Sequence, residues 1–345
     1  MKNRLAITMG DPFGIGPEIS IKFFDTLYKI EEKNFFVFLI GSKSVIEYYL
    51  KKYKIDLEIE LIEDIYKIEN LNNKNGVLPL LNIDFEFNKE DIGKDSKLGG
   101  EYSIKYLNQA IKLCNYEIID GIVTAPISKN SINLAGYKYS GHTTYFAEKT
   151  KTKGFAMILK GEKVIVLLNT THLSLNDAIK KVKKDNIIDK IKLAEIAKKE
   201  LGLNGKIAVA GLNPHNGENG LFGDEEIKEI APAVKEMQEQ GIDVEGPIVP
   251  DTLFVKMLKS EYVISVVMYH DQGLIPVKLE SFGSAVNITI GLPFVRTSVD
   301  HGTAFDIAGK NMADESSLRK AVSTAINIIK NKKNDLLNFV EVEYI

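Results

Sequence analysis

Five histidines carry most of the chemistry this chain could do, and each sits in a short turn-rich segment. They are His142 in SGHTTYFA, His172 in NTTHLSL, His215 in NPHNGENG, His270 in MYHDQGLIP and His301 in DHGTAFDIAGK. A single histidine reads most simply as a structural side chain, yet none of these falls inside a helix by its local pattern. His172, His215 and His270 each follow a short apolar run of strand type. In open α/β sheets the loops beyond the carboxyl ends of strands line the ligand crevice. Three imidazoles delivered there would suit a catalytic divalent metal with an open coordination position. Their spacing rules out a helix-borne H-x-x-x-H motif, so only topology can bring them together. Asp251 in GPIVPDTLF and Asp271 beside His270 could supply a fourth ligand or orient an imidazole from behind. Asp251 could equally cap the helix that begins with TLFVKML.

A second set suits anions. Arginine occurs only at Arg4, Arg296 and Arg319, and Arg296 reads as part of a glycine- and proline-rich loop. With Lys278 and Asn287 it could hold a phosphate and a carboxylate, since a guanidinium matches either group in a planar fork. Lys278 could also be an ordinary solvated lysine. Asn287, within the apolar stretch SAVNITIG, needs a partner if buried. The segment MGDPFGIGPE reads as a strand, a glycine-rich turn and a helix from Pro17. That turn could cradle a phosphate or place Asp11 near a cleft. It is not a dinucleotide fingerprint, because Ile19 stands where G-x-G-x-x-G requires its third glycine.

The elements that must position these residues follow from periodicity. Residues 5–9, 35–40, 121–124, 164–168, 207–210 and 262–268 predict buried strands; residues 17–27, 45–53, 101–113, 175–201 and 224–240 predict helices. The strand at 285–290 is expected to be antiparallel or at an edge. Alternating strands and helices predict an α/β fold with a largely parallel sheet, and 345 residues suit two domains. Residues 68–75 read as a surface loop, and the lysines of 180–192 as a solvated helix face. The formal charge of −3 gives no reason to expect nucleic acid or an anionic membrane as partner. No run approaches the roughly 20 apolar residues of a spanning helix, and the amino terminus lacks a signal-peptide pattern. The lone Cys114 cannot form an internal disulfide and reads as a small buried hydrophobe. A cytoplasmic enzyme is expected.

Taken in order, MGDPFGIGPE, SGHTTYFA, TTHLSL, NPHNGENGLFGDEE, GPIVPDT, YHDQGLIPVK and VNITIGLPFVRTSVDHGTAFDIAGK resemble the motifs of the 4-hydroxythreonine-4-phosphate dehydrogenase family of vitamin B6 synthesis. They run from residue 9 to 310. Phe13 replaces the family's usual alanine, and residues 56–92 carry no matching motif. The resemblance implies an α/β fold of the isocitrate and isopropylmalate dehydrogenase type, with two domains and an interdomain cleft. Residues 1–135 with 290–345 would form the outer domain carrying the cofactor loop; residues 136–289 would form the central domain with the metal ligands and dimer contacts. It implies a homodimer with shared active sites and a divalent metal on His172, His215 and His270, zinc first, with magnesium, cobalt or manganese as alternatives. Substrate contacts would fall to His142, Thr143, Lys278, Asn287 and Arg296, and acid–base work to Asp251 or Lys278. His301, Gly302, Asp306 and Gly309 would contact NAD or NADP, as the similar HGSAPDIAGKG loop does in isopropylmalate dehydrogenases. The implied reaction oxidises 4-phosphooxy-L-threonine at C3 and then decarboxylates it to 3-amino-2-oxopropyl phosphate. The alternatives are a paralogue acting on 4-phosphoerythronate or 4-phosphothreonate, a phosphoacyl transferase of the same general fold, and a non-catalytic metal- or phosphate-binding protein.

Overall fold

The computed structural model describes residues 2–30, 34–139 and 141–342, without the side chains of Tyr28 and residues 335–342. In chain order it contains β1 (Asn3–Thr8), α1 (Gly16–Asp25), β2 (Phe35–Gly41), α2 (Lys43–Tyr53), β3 (Glu58–Leu61), β4 (Val77–Asn82), α3 (Lys97–Asn115), β5 (Gly121–Thr124), α4 (Lys129–Leu134) and α5 (His142–Lys149). Next come β6 (Ala156–Lys160), β7 (Ile165–Leu168), α6 (Leu175–Lys180), α7 (Lys184–Glu200), β8 (Ile207–Ala210), α8 (Ala231–Glu239), β9 (Val244–Ile248), α9 (Pro250–Leu258), β10 (Ile264–Val267), α10 (His270–Ser281) and β11 (Val286–Ile290). The chain ends with β12 (Val295–Val299) and α11 (Ser316–Val342). It divides into two compact units. One is Met1–Lys151 with Leu292–Lys330; the other is Thr152–Gly291 with Asn331–Ile345.

In the first unit the strand order is β3-β4-β2-β1-β5-β12, with every pair parallel. Its strand β2, FFVFLIG, is apolar along its whole length and buried at all seven residues, as a parallel sheet covered on both faces favours. In the second unit the order is β11-β6-β7-β10-β8-β9. Here β7, β10, β8 and β9 are parallel, while β6 runs antiparallel to both β7 and β11. Its core gathers Leu159, Val166 and Leu168 of the sheet with Leu253 and Met257 of α9 and Leu274 and Val277 of α10. Each such side chain contributes about 1.5–3 kcal/mol by leaving water.

The expected α/β class is the one found, and each of the six predicted strands is present to within a few residues. The expected helix over 175–201 breaks between α6 and α7 at residues 181–183. Arg296 belongs to β12, not to a loop. The segment VRTSV is mixed in polarity, and only its pairing beside β5 makes it a strand. The first boundary between units follows α5 instead of preceding it, so His142 and Thr143 belong with Arg296. The cause is aromatic packing: Phe146 of α5 meets Phe294 edge-on, with ring centroids 5.8 Å apart. Cys114 is a buried free thiol whose ionisation is suppressed by burial, which fits a small core residue and not a nucleophile. Among the described residues no helix is long and apolar enough to cross a membrane.

Candidate active site

Three neighbouring parallel strands of the second unit, β7, β10 and β8, run directly into the segments that carry His172, His270 and His215. Short polar ties hold these segments together. Thr170 donates its hydroxyl to Met268 O at 2.8 Å, linking the His172 segment to the end of β10. Gln272 is buried in the first turn of α10, accepts from Met268 N at 2.6 Å and donates to Gly211 O at 2.7 Å. It thereby fastens the start of the His215 loop to the His270 segment. Gly273 lets α10 lie close on the sheet, because a Cβ there would come within 2.7 Å of Val267.

The His172 and His270 rings are neighbours, with centroids 5.5 Å apart and planes at 43°. Asp271 Oδ1 lies 2.6 Å from His270 Nδ1. A proton held on Nδ1 by that carboxylate leaves Nε2 as the free lone pair, which is how an imidazole is readied for a metal. The donor chemistry of this pair fits a divalent ion. His215 is exposed on a loop whose residues from His215 to Asn219 all have left-handed backbone. Strain of that kind persists only where the surroundings impose it. The buried carboxylate of Glu226 accepts from Leu212 N and Asn213 N, both at 2.7 Å, and Asn216 donates to Pro247 O at 2.8 Å. Among the described residues no three His, Cys, Asp or Glu side chains are grouped as a metal site. One chain therefore pairs His172 with His270 and does not bring His215 into a threefold cluster with them.

The remaining expected residues of this unit are more dispersed. Asp251 is exposed in the first turn of α9, where Val249 and not Asp251 occupies the capping position. Lys278 is half-buried on α10, and neither it nor Asp251 forms an ion pair or side-chain hydrogen bond among the described residues. Asn287 lies on β11 opposite Leu159, and its Oδ1 is buried with no hydrogen-bond partner. A buried amide oxygen left so is a place for a ligand donor.

The first unit holds an anion-type cluster. Arg296 is only 2% exposed and donates from Nη2 to Thr124 Oγ1 at the end of β5, at 2.8 Å. Its guanidinium carbon lies 5.8 Å from the centre of the Phe146 ring. The His142 ring, at the start of α5, lies parallel to the same ring at 6.4 Å and 12°. Burial lowers the Arg296 pKa to about 9, which leaves it cationic at neutral pH. Burial, and secondarily the charge of Arg296, hold His142 well below the usual imidazole range, so it is neutral. His142 Nε2 is buried and unpartnered. A cation this desolvated gains strongly from an anion placed against it.

The expected cofactor loop is built onto the amino-terminal turn of the same unit. Ile15 N donates to Thr303 O at 3.0 Å, and Gly93 N to Phe13 O at 2.9 Å. Glu18, fully buried in α1, accepts from Ala313 N at 2.8 Å, from Lys22 Nζ at 2.9 Å and from Tyr53 Oη at 2.7 Å. Tyr53 Oη in turn accepts from Asn311 N at 3.1 Å. Gly302 faces open space, while Gly309 takes φ +73° against Ile92. His301 Nε2 is buried without a partner. Asp306 is exposed. An open glycine, an unpartnered imidazole nitrogen and an anchored backbone fit a nucleotide laid along the loop. Asp11 lies under the turn, wholly buried, and accepts from Phe13 N at 3.0 Å. MGDPFGIGPE thus supports the 301–313 segment from beneath. Sequence patterns had no means of revealing Phe146, Thr170 and Gln272, which act through partners distant in the chain. Like those three, Glu18 and Glu226 lay within the quoted motifs, where the two glutamates read as ordinary helix-start residues.

The family model described as pyridoxal phosphate biosynthetic protein PdxA matches residues 33–325. The chain is 44% identical over 334 residues to the 4-hydroxythreonine-4-phosphate dehydrogenase of Sulfurihydrogenibium sp., covering 96% of this chain and 99% of that one. It is 37% identical to the D-threonate 4-phosphate dehydrogenase of Pectobacterium atrosepticum, covering 95% and 100%. The crystal structure of 4-hydroxythreonine-4-phosphate dehydrogenase from Klebsiella pneumoniae superposes with a TM-score of 0.84 at 37% identity, covering 95% of this chain and all of that one. On sequence and fold together, this chain belongs to the pyridoxal phosphate biosynthetic protein PdxA family.

Proposed function

We propose that this protein oxidises 4-phosphooxy-L-threonine at C3 with NAD or NADP, and that the product decarboxylates to 3-amino-2-oxopropyl phosphate for pyridoxal 5′-phosphate synthesis. Near full-length identity to a relative named for that dehydrogenase carries the proposal. The buried, cationic Arg296 supports it, since it suits the substrate's phosphate. His142 and Thr143 stand with Arg296 as phosphate and hydroxyl partners; Lys278 and Asn287 are assigned the remaining polar groups. Asp251 or Lys278 takes the C3 hydroxyl proton as hydride leaves that carbon. The resulting ketone stands β to the carboxylate, so the carbon–carbon bond can break with its electron pair drawn toward the new carbonyl oxygen. A proton returned to C2 completes the product.

His172 and His270 would hold a divalent ion, zinc first by imidazole preference, with magnesium, cobalt or manganese as alternatives. His215 completes the set when two copies of the chain share an active site. Such an ion would supply Lewis acidity that lowers the alcohol's pKa, and a bound nicotinamide would supply the hydride acceptor. His301, Gly302, Asp306 and Gly309 are the proposed cofactor contacts. An exposed apolar patch at α10 supports a homodimer: Ile275 and Leu279 are one turn apart on the helix, Phe282 lies just past its end, and the three are 58%, 83% and 85% exposed. Apolar side chains aligned in this way mark an interface. A cytoplasmic location is part of the same reading.

The second reading is a D-threonate 4-phosphate type dehydrogenase, favoured by the Pectobacterium atrosepticum relative. Its substrate carries a hydroxyl where the first carries an amine. Absorbance at the reduced-nicotinamide band, followed with each phosphorylated acid before and after chelation, separates the two. Signal with 4-phosphooxy-L-threonine alone supports the first reading. Signal only with 4-phosphothreonate or 4-phosphoerythronate transfers the mechanism to the paralogue. No signal with any of them, despite bound metal, favours a transferase or a binding protein.

A further inference from the structure

We propose that Phe146 is a positioning residue that sets the bearing of both His142 and Arg296 toward a phosphorylated ligand. The proposal rests on the reading that these two residues contact the substrate phosphate. Phe146 is wholly buried in α5, one turn beyond His142, so the helix itself fixes where its ring stands relative to the imidazole. The imidazole lies parallel to that ring, and the guanidinium carbon of Arg296 stands 5.8 Å from its centre, within the range of cation–π attraction. Phe294 meets the ring edge-on at 5.8 Å and Tyr145 at 6.4 Å, so it has little freedom to tilt. Thr124 fixes the far end of the same guanidinium through Nη2. Among its described contacts, Arg296 meets the Thr124 hydroxyl and the Phe146 ring, and that ring also aligns His142. Neither function needs Phe146 to touch the ligand. The ring acts by pre-orienting two groups that would otherwise have to be ordered when the anion binds.

Phe146→Leu keeps an apolar side chain in the same space but removes the ring. It should raise KM for the phosphorylated substrate by about three- to tenfold, with kcat changed much less, because the loss falls on binding common to ground and transition states. The dissociation constant for inorganic phosphate, measured by calorimetry, should rise by the same factor, while NADH affinity stays unchanged. Combined with Arg296→Lys, the loss should fall clearly short of the product of the single effects, since both changes dismantle one arrangement. Phe146→Tyr, which retains the ring, should restore most of the phosphate affinity. An unchanged phosphate affinity in folded Phe146→Leu overturns the positioning role, and so does full multiplicativity with Arg296→Lys. A wild type that binds phosphate but turns over no phosphorylated acid would overturn the proposed activity and leave the positioning role standing. A wild type that binds neither would overturn both.

Discussion

The buried carboxylate of Glu18 accepts a hydrogen bond from the backbone N–H of Ala313 across 2.8 Å, although 295 positions of chain separate them. Lys22 joins the same group: its ammonium donates to Glu18 and, at 2.6 Å, to Ala313 O. One side chain of α1 thus fixes the far end of the proposed cofactor loop. Glu18→Ala would leave Tyr53 Oη and Ala313 N without their acceptor and Lys22 Nζ with backbone carbonyls alone, at a cost of about 2–4 kcal/mol. The expected outcome is a lower urea midpoint together with weaker NADH binding by fluorescence titration. Unaltered NADH affinity in a destabilised variant would confine Glu18 to a structural role.

Burial, as the main cause, raises the Asp11 carboxyl from an ordinary 3.8 to about 6, against smaller opposing hydrogen bonds from Phe13 and Ser131. Between roughly pH 4 and 6 the folded protein keeps this proton while the unfolded chain has released it. The stability linked to the group is therefore complete below about pH 4 and lost as pH rises through 6, a change on the order of 2–3 kcal/mol. Asp11→Asn should flatten this part of the stability–pH curve and leave the protein more stable than wild type above pH 6. Denaturant unfolding at several pH values tests this, and parallel curves for the two proteins would refute it.

His215→Ala should keep the far-UV circular dichroism of the wild type and lose turnover, because His215 is exposed on its loop and supports no core. Chelation should bring the wild type to the same inactive state, and added divalent ion should restore the wild type alone. Full activity of His215→Ala after chelation would sink the metal reading.

Glu226 should matter almost as much as the histidine it supports. Its side chain accepts from two successive backbone N–H groups at 2.7 Å and from the Asn213 amide at 3.0 Å. Glu226→Ala strands those donors, and about 2–3 kcal/mol should be lost. Hydrogen exchange should rise over residues 211–220 far more than over the neighbouring sheet. Equal protection in both proteins would show that the loop holds its left-handed backbone without this carboxylate.

Sequence by itself determined the local elements and the chemical inventory. The short apolar runs became buried strands because their pattern admits little else, and the glycine-rich turn led into α1 at the expected place. The histidine segments stood out because imidazoles in turn-rich loops have few structural uses. Tertiary structure decided what those patterns left open. It made a buried strand residue of Arg296, since VRTSV pairs only when β5 is beside it. It put Asp11 in the interior, where a cleft had been one of two possibilities. It paired His172 with His270 because β7 and β10 are neighbours, an order absent from any local pattern. The residues that sequence missed, Phe146, Glu226 and Gln272 among them, share a physical trait. Each works through the direction of a bond or the plane of a ring, and such directions exist only once distant segments have packed.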